Sequence, residues 1–337
     1  MWSLSKNLRK KKKGKNSARK REKSMLKVGL IGVGNMGSGM ARNMLLKGSK
    51  VMQQLIIFDS QKAMIESFTS SVASKQLDNL IVASAVSEIA AKADVICLSL
   101  PSEKVTSIVL NDIIKAKNSV KNNKSLTIVD HGTFTKDFVV NSHNLAKQSN
   151  IEYLDGPVSG GPGGATAGTL TVMLGGNNIE VARVTPILNL FASKIYHFGS
   201  IGNGMAAKLV NQALVGIHAQ AASEAIALAD ELGLKNESKQ LLAMLSNSWG
   251  QSRILELALQ DYINSKALGP HVLDQSPAPL RNLLKDFDAI QHEIGKSTLN
   301  GGKMLCTNAA TSTIKDACAN GKSNGAFVTL KDLIVSR

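Results

Sequence analysis

Three cysteines in 337 residues, Cys97, Cys306 and Cys318, are too few and too scattered for a disulfide framework or a zinc site. The six histidines show neither an HExxH nor a His-x3-His spacing, so no protein-bound metal is indicated. Aromatic residues make up only 4%, which argues against a base-stacking nucleic-acid surface. No apolar run approaches the roughly 18 to 20 residues that a membrane helix needs, so a soluble protein is expected. Acidic residues are also outnumbered, 25 to 40, but the imbalance is local. Residues 1–27 hold nine Lys and three Arg against one Glu, so they carry +11 of the +15 net charge and leave +4 for residues 28–337.

That N-terminal segment, "KNLRKKKKGKNSARKREK", is a block of like charge with almost nothing apolar, and disorder over residues 1–25 is expected. It suits a nuclear-localisation or nucleic-acid patch, or a plain solvated extension upstream of Met25. A mitochondrial presequence fits less well, because Lys rather than Arg dominates. The expected compartment is intracellular: the cytoplasm first, with the nucleus or the mitochondrial matrix as the tail's alternatives.

Hydrophobic residues, at 43%, are ample for packed interiors, and the length suits two domains better than one. From Lys27 onward short apolar runs alternate with helical patterns: "KVGLIG", "GSGMARNMLLKG", "QLIIFD", "AVSEIAAKA", "DVICLSLP" and "LTIVDHGT". This alternation predicts βαβ units around a doubly wound parallel sheet, and continuously apolar strands suit a sheet covered on both faces. After "KIYHFG", near Gly199, strand signals stop. A helical pattern of about 30 residues runs to Gly233, and everything beyond reads as helix and loop. The expected organisation is an α/β Rossmann-type domain over 26–200, joined by the long helix to an all-helical domain over 201–337.

Four stretches carry candidate chemistry. Gly32-Val33-Gly34-Asn35-Met36-Gly37 follows a strand and opens a helix, as a dinucleotide site requires. Its first glycine permits a tight turn, its second lets a pyrophosphate approach the backbone, and its third packs helix on strand. Asp59 ends the second strand, 22 residues beyond Gly37, where a carboxylate binds a ribose 2′-hydroxyl and repels a 2′-phosphate. NAD is therefore expected over NADP. Lys208, Asn211 and Gln212 stand at i, i+3 and i+4 of the long helix and share one face. Their neighbours are so apolar that the helix should be largely buried, and burial prepares a lysine for proton transfer near neutral pH.

The third stretch, "DGPVSGGPGGATAGTLTVMLGG", has eight glycines in 22 residues, a composition that by itself means a flexible linker. Strand-like runs on both sides argue otherwise, since a 20-residue structureless loop inside a compact domain is improbable. Successive N–H groups at Ser159, Gly160 and Gly161 instead suit an anion-binding concavity. The fourth, Lys285-Asp286 in "LLKDFDAI", reads locally as nothing more than a solvated helix face.

Together these stretches resemble, in order, the four motifs of the β-hydroxyacid dehydrogenase family, the group of 3-hydroxyisobutyrate dehydrogenase and tartronate semialdehyde reductase. The resemblance runs from about Leu26 to Ile290. It implies a hydride transfer between NAD and a small 3-hydroxy acid. Lys208 would be the general acid/base and Asn211 would orient the substrate. Ser159, Gly160 and Gly161 would hold the substrate carboxylate. Gly32, Gly34, Asn35, Met36, Gly37, Asp59, Leu100, Pro101, Thr133 and Lys285 would meet the cofactor. A homodimer or homotetramer is also implied. The segments "SNSWGQSR" and "HVLDQSPAP" sit closer to the threonate dehydrogenase branch. Alternatives are threonate dehydrogenase or tartronate semialdehyde reductase activity, or a non-catalytic nuclear, DNA-associated relative. His131-Gly132 stands where family members often have two serines, which puts His131 near the cofactor.

Overall fold

A computed structural model describes residues 25–119, 125–299 and 302–335. The expectations for the basic segment, including its nucleic-acid contact and its destination, fall on residues 1–24, outside the described ones.

Six parallel strands form the main sheet: β1 (Leu26–Ile31), β2 (Met52–Phe58), β3 (Leu80–Val82), β4 (Val95–Leu98), β5 (Leu126–Asp130) and β6 (Ile151–Asp155). Their spatial order is β3-β2-β1-β4-β5-β6, so the chain reverses its winding between β1 and β4. In open α/β sheets a ligand crevice opens at such a switch point, outside the carboxyl ends of the strands. All residues of β4 and β5 are buried, which is why these strands read as unbroken apolar runs rather than alternating ones. The crossover helices are α1 (Gly37–Lys47), α2 (Lys62–Ser70), the one-turn α3 (Ser74–Leu77), α4 (Val86–Lys92), α5 (Glu103–Ser119) and α6 (Lys136–Lys147).

The glycine-rich stretch is not a linker. It builds β7 (Val158–Ser159), α7 (Gly161–Ala167) and β8 (Leu170–Leu174). With α8 (Asn178–Leu188) and β9 (Ala192–His197) these make a second, three-stranded sheet, β7-β8-β9, rather than an extension of the first. The break has a local cause: Pro157, two residues past β6, has no N–H to continue a ladder. The chain turns there, and β7 pairs antiparallel with β8.

Beyond β9 the described residues are helical: α9 (Asn203–Glu231), α10 (Ser238–Leu245), α11 (Arg253–Leu268), α12 (Leu280–Gly295), α13 (Leu305–Ala317) and the short α14 (Lys331–Val335). α9 is held to the sheet at its start. Asp155, the last residue of β6, accepts hydrogen bonds from the Gly202 (2.8 Å) and Met205 (2.6 Å) amides. Gly204 allows the close approach, because a Cβ there would lie 2.3 Å from the Met173 carbonyl oxygen. One apolar core then runs from Ile96, Leu98 and Ile128 of the sheet through Met205 and Leu209 to Phe287 and Ile314.

Burial of α9 is one-sided, against the expectation of a largely buried helix. Val210, Leu214 and Leu228, with Leu232 just past the helix end, are all at least half exposed and share one side. Apolar composition alone does not distinguish a core face from a face left for something else. No described helix is long and apolar enough to cross a membrane.

Candidate active site

The loops after β1, β2, β4 and β5 converge at the carboxyl edge of the sheet. Gly32 takes φ +93°, and a Cβ there would meet the Ser99 carbonyl oxygen at 2.3 Å. A side chain is thus barred twice over. Gly37 is tighter still: its Cβ would fall 1.9 Å from the Gly32 carbonyl oxygen, so the third glycine seats α1 directly on the turn. Gly34 faces open space instead. That contrast fits a dinucleotide: two glycines serve the protein's own packing, and the middle one keeps clear the side from which a pyrophosphate approaches. Asn35 is exposed and Met36 precedes the first turn of α1.

Asp59 follows β2 and faces this turn. Its Oδ2 accepts from the Val33 amide (2.9 Å) and its Oδ1 from the Gln61 amide (2.9 Å), which fixes the carboxylate beside the glycine loop. Leu100 and Pro101 follow β4, and Leu100 lies 3.4 Å from where a Gly32 Cβ would be. Thr133 follows β5, and its carbonyl oxygen accepts from Lys285 Nζ at 2.7 Å. This bond crosses 152 residues and brings α12 onto the loop after β5. Lys285 also stands 5.5 Å from the centre of the Phe134 ring, a cation–π distance. The reading of Lys285-Asp286 as a solvated face fails here.

Lys208 is buried on α9, only 6% exposed. Its Nζ donates to Gln212 Oε1 (2.8 Å), and Asn211 Nδ2 donates to the same oxygen (2.9 Å). Gln212 in turn donates from Nε2 to Asp286 Oδ2 at 2.5 Å. Because a carboxylate only accepts, Asp286 dictates which way the Gln212 amide points. The other carboxylate oxygen has no hydrogen bond but lies 3.3 Å from Lys285 Nζ, an ion pair. A continuous polar chain therefore runs Lys208–Gln212–Asp286–Lys285–Thr133. Burial pushes the Lys208 amine down to about 8, with Asp286 opposing the shift and Lys285 adding to it. A lysine so placed exchanges its proton near neutral pH.

Sequence reasoning put Asn211 beside Lys208, but the direct partner is Gln212, and Asp286 was missed as a member of the site. The i, i+4 spacing on α9 signalled the first. Nothing local signalled the second.

Ser159 lies on β7, followed by Gly160 at φ +132° and Gly161 at φ +63°, backbone that L side chains rarely adopt. These residues make the turn into α7. Among the described residues no hydrogen bond joins Ser159, Gly160 or Gly161 to Lys208 or Asn211.

His131, just after β5, is packed into the core. It is buried, donates from Nδ1 to the Gly156 carbonyl oxygen (2.6 Å) and packs edge-on against Phe191. Burial pushes it down to about 4, so it is neutral at physiological pH. Cys97 is fully buried in β4, and burial pushes its thiol up to about 12, which makes it inert.

Residues 27–199 match the NAD-binding domain of 6-phosphogluconate dehydrogenase, and residues 202–328 match the NAD-binding domain of NADP-dependent 3-hydroxyisobutyrate dehydrogenase. The 2-(hydroxymethyl)glutarate dehydrogenase of Eubacterium barkeri is 33% identical over 244 residues, covering 72% of this chain and 76% of that one. A probable 3-hydroxyisobutyrate dehydrogenase of Mycobacterium tuberculosis is 31% identical over 214 residues, 64% of this chain and 67% of its own. The solved 3-hydroxyisobutyrate dehydrogenase of Mycobacterium tuberculosis, with L-serine, shares the fold at TM-score 0.75 and 23% identity, covering 92% of this chain and 99% of that one. With the switch-point crevice, the glycine turn and these matches together, the chain belongs to the β-hydroxyacid dehydrogenase family and is an NAD-binding hydroxyacid dehydrogenase.

Proposed function

We propose that the chain oxidises a small 2-(hydroxymethyl) carboxylate of the 3-hydroxyisobutyrate type, with Lys208 as general acid/base. The observation that carries this is the buried Lys208, its proton poised near pH 8 and its Nζ held by Gln212. The two relatives named for their substrates support the substrate class. Both 3-hydroxyisobutyrate and 2-(hydroxymethyl)glutarate carry a primary hydroxyl on the carbon next to the one bearing a carboxylate.

When bound at the glycine turn, NAD supplies a two-electron hydride acceptor. Asp59, fixed by the Val33 amide, stands where a ribose 2′-hydroxyl is favoured and a 2′-phosphate repelled, so NAD is preferred over NADP. Asn35, Met36, Leu100, Pro101 and Thr133 line the loops around it, and Lys285 lies over that edge. Ser159, Gly160 and Gly161 hold the substrate carboxylate through their turn amides and hydroxyl. Asn211 orients the substrate hydroxyl toward Lys208. Neutral Lys208 then takes the hydroxyl proton at Nζ as the hydroxyl-bearing carbon loses its hydride and the C–O single bond becomes a carbonyl. Gln212 keeps one N–H of the amine occupied and leaves the lone pair for the substrate.

The exposed stripe on α9 supports a homodimer. A second copy would cover Val210 and Leu214, on the side of α9 turned away from Lys208.

The test is NADH formation from 3-hydroxyisobutyrate, glycerate, threonate and serine by wild type and Lys208→Ala. Removing a general acid/base costs about 10²- to 10⁴-fold in kcat, with the NADH Kd within about twofold. Unchanged turnover in the variant would remove Lys208 from the chemistry.

A further inference from the structure

The mechanism above uses the start of α1 for the cofactor and the turn into α7 for the substrate carboxylate. It does not say what holds these two short elements in register. Asn43, one turn beyond Gly39 on α1, is 3% exposed and sits between them. Its Nδ2 donates to the Ala165 (2.8 Å) and Thr166 (3.0 Å) carbonyl oxygens of α7 and to the Gly39 carbonyl oxygen (3.0 Å) of its own helix. The α7 carbonyls belong to its last turn, where carbonyl oxygens lack full intrahelical partners.

The rest of the contact is shaped for this side chain. A Cβ on Gly39 would lie 2.7 Å from the Ala165 carbonyl carbon and the Thr166 nitrogen, so glycine lets the two helix backbones touch. Gly168, at φ +70°, ends α7, and a Cβ there would fall 2.6 Å from Asn43 Oδ1 and 2.5 Å from Lys47 Nζ. Three residues of α1 on one face, Gly39, Asn43 and Lys47, therefore meet the substrate-loop helix and nothing separates them from it. Asn43 stands six residues after Gly37, about 9 Å along the axis of the cofactor helix.

We propose that Asn43 is a positioning residue that holds the substrate loop Ser159–Gly161 in place against the cofactor helix α1. It touches neither substrate nor cofactor. It acts through α7, whose first residue is Gly161, so a shift of α7 on α1 moves the turn amides relative to the dinucleotide. The inference rests on the reading of Ser159–Gly161 as the carboxylate loop, and its test is chosen so that the two can fail separately.

Hydrogen exchange of the full chain is compared between wild type and Asn43→Ala, alongside the KM for 3-hydroxyisobutyrate and the Kd for NADH. Exchange over residues 159–168 should quicken about tenfold while that over β1 stays within about twofold. The KM for the acid should rise about tenfold and the NADH Kd change by less than about twofold. Unchanged exchange over 159–168 overturns the proposal. Equal acceleration over 159–168 and β1 also overturns it, since that is general loss of stability. If Asn43→Ala fails to fold, Asn43→Ser, which keeps a shorter donor, is read by the same exchange and should give a smaller acceleration confined to 159–168. Wild-type silence toward 3-hydroxyisobutyrate would count against the carboxylate-loop reading, and the exchange result would still decide the role of Asn43.

Discussion

The cofactor turn and the lysine helix meet at one edge of the sheet but are built by opposite means. Around Gly32–Gly37 the important atoms are backbone, and the side chains that matter are the ones missing: a methyl at Gly37 would stand 1.9 Å from a carbonyl oxygen. On α9 the backbone is an ordinary helix, and everything of interest lies in the side chains of Lys208, Gln212 and, 74 residues away, Asp286. The first region should fail when atoms are added, the second when charge or hydrogen-bonding capacity is changed. This difference decides how each can be probed.

Gly37→Ala is the strongest way to break the cofactor turn. The added methyl meets backbone that cannot swing aside, so a loss of about 3 kcal/mol or more is expected, with NADH binding abolished. Thermal unfolding and NADH fluorescence check both. Next comes Asp286→Asn, which leaves α12 its shape but removes the charge that opposes burial at Lys208. In wild type, oxidation of the hydroxy acid should rise with pH through an inflection near 8, because the neutral amine is the acting form. The variant's inflection should move to lower pH, and its plateau kcat should fall about tenfold as Gln212 loses its orientation. An unmoved inflection would separate Asp286 from Lys208.

Lys208→Met turns the comparison toward stability. The folded-state value of Lys208 is depressed from 10.5 to about 8, so stability is lost as pH falls from the first value to the second and the loss is complete below about 8. The variant, although inactive, should be more stable than wild type at pH 7 by on the order of 1 kcal/mol, and the gap should close toward pH 10. Denaturant unfolding at the two pH values measures it. The smallest effect is expected at Gly34→Ala. Its methyl enters open space, so stability should stay within about 0.5 kcal/mol while NADH affinity falls. The pair Gly34 and Gly37 thus separates the glycine that serves the ligand from the one that serves the fold.

The alternation of apolar runs, the GxGxxG turn and the long helical pattern were legible because each is imposed by neighbours in the chain. A strand buried on both faces has to be apolar throughout, and a turn at φ +93° has to be glycine. Hence β1, β2, β4, β5, β6 and the helix of 29 residues could be placed from sequence order alone, while the three-residue β3 was too short to read as a run. The four ordered motifs likewise carried the family.

Packing between distant segments decided the rest. Whether "TLTVML" extends the first sheet or starts another depended on where the chain goes after Pro157, and it starts another. The place of His131 after β5 could be read from sequence order, but its burial against Phe191, just before β9, is decided by tertiary packing. Asp286 looked like one charge on an amphipathic helix until α12 laid it against Gln212. Local sequence determines which backbone conformations a segment can adopt, since those constraints act within a few residues. The partners of a buried charge are chosen by whichever helix packs across it, and only the tertiary structure brought Asp286, Gln212 and Lys208 together.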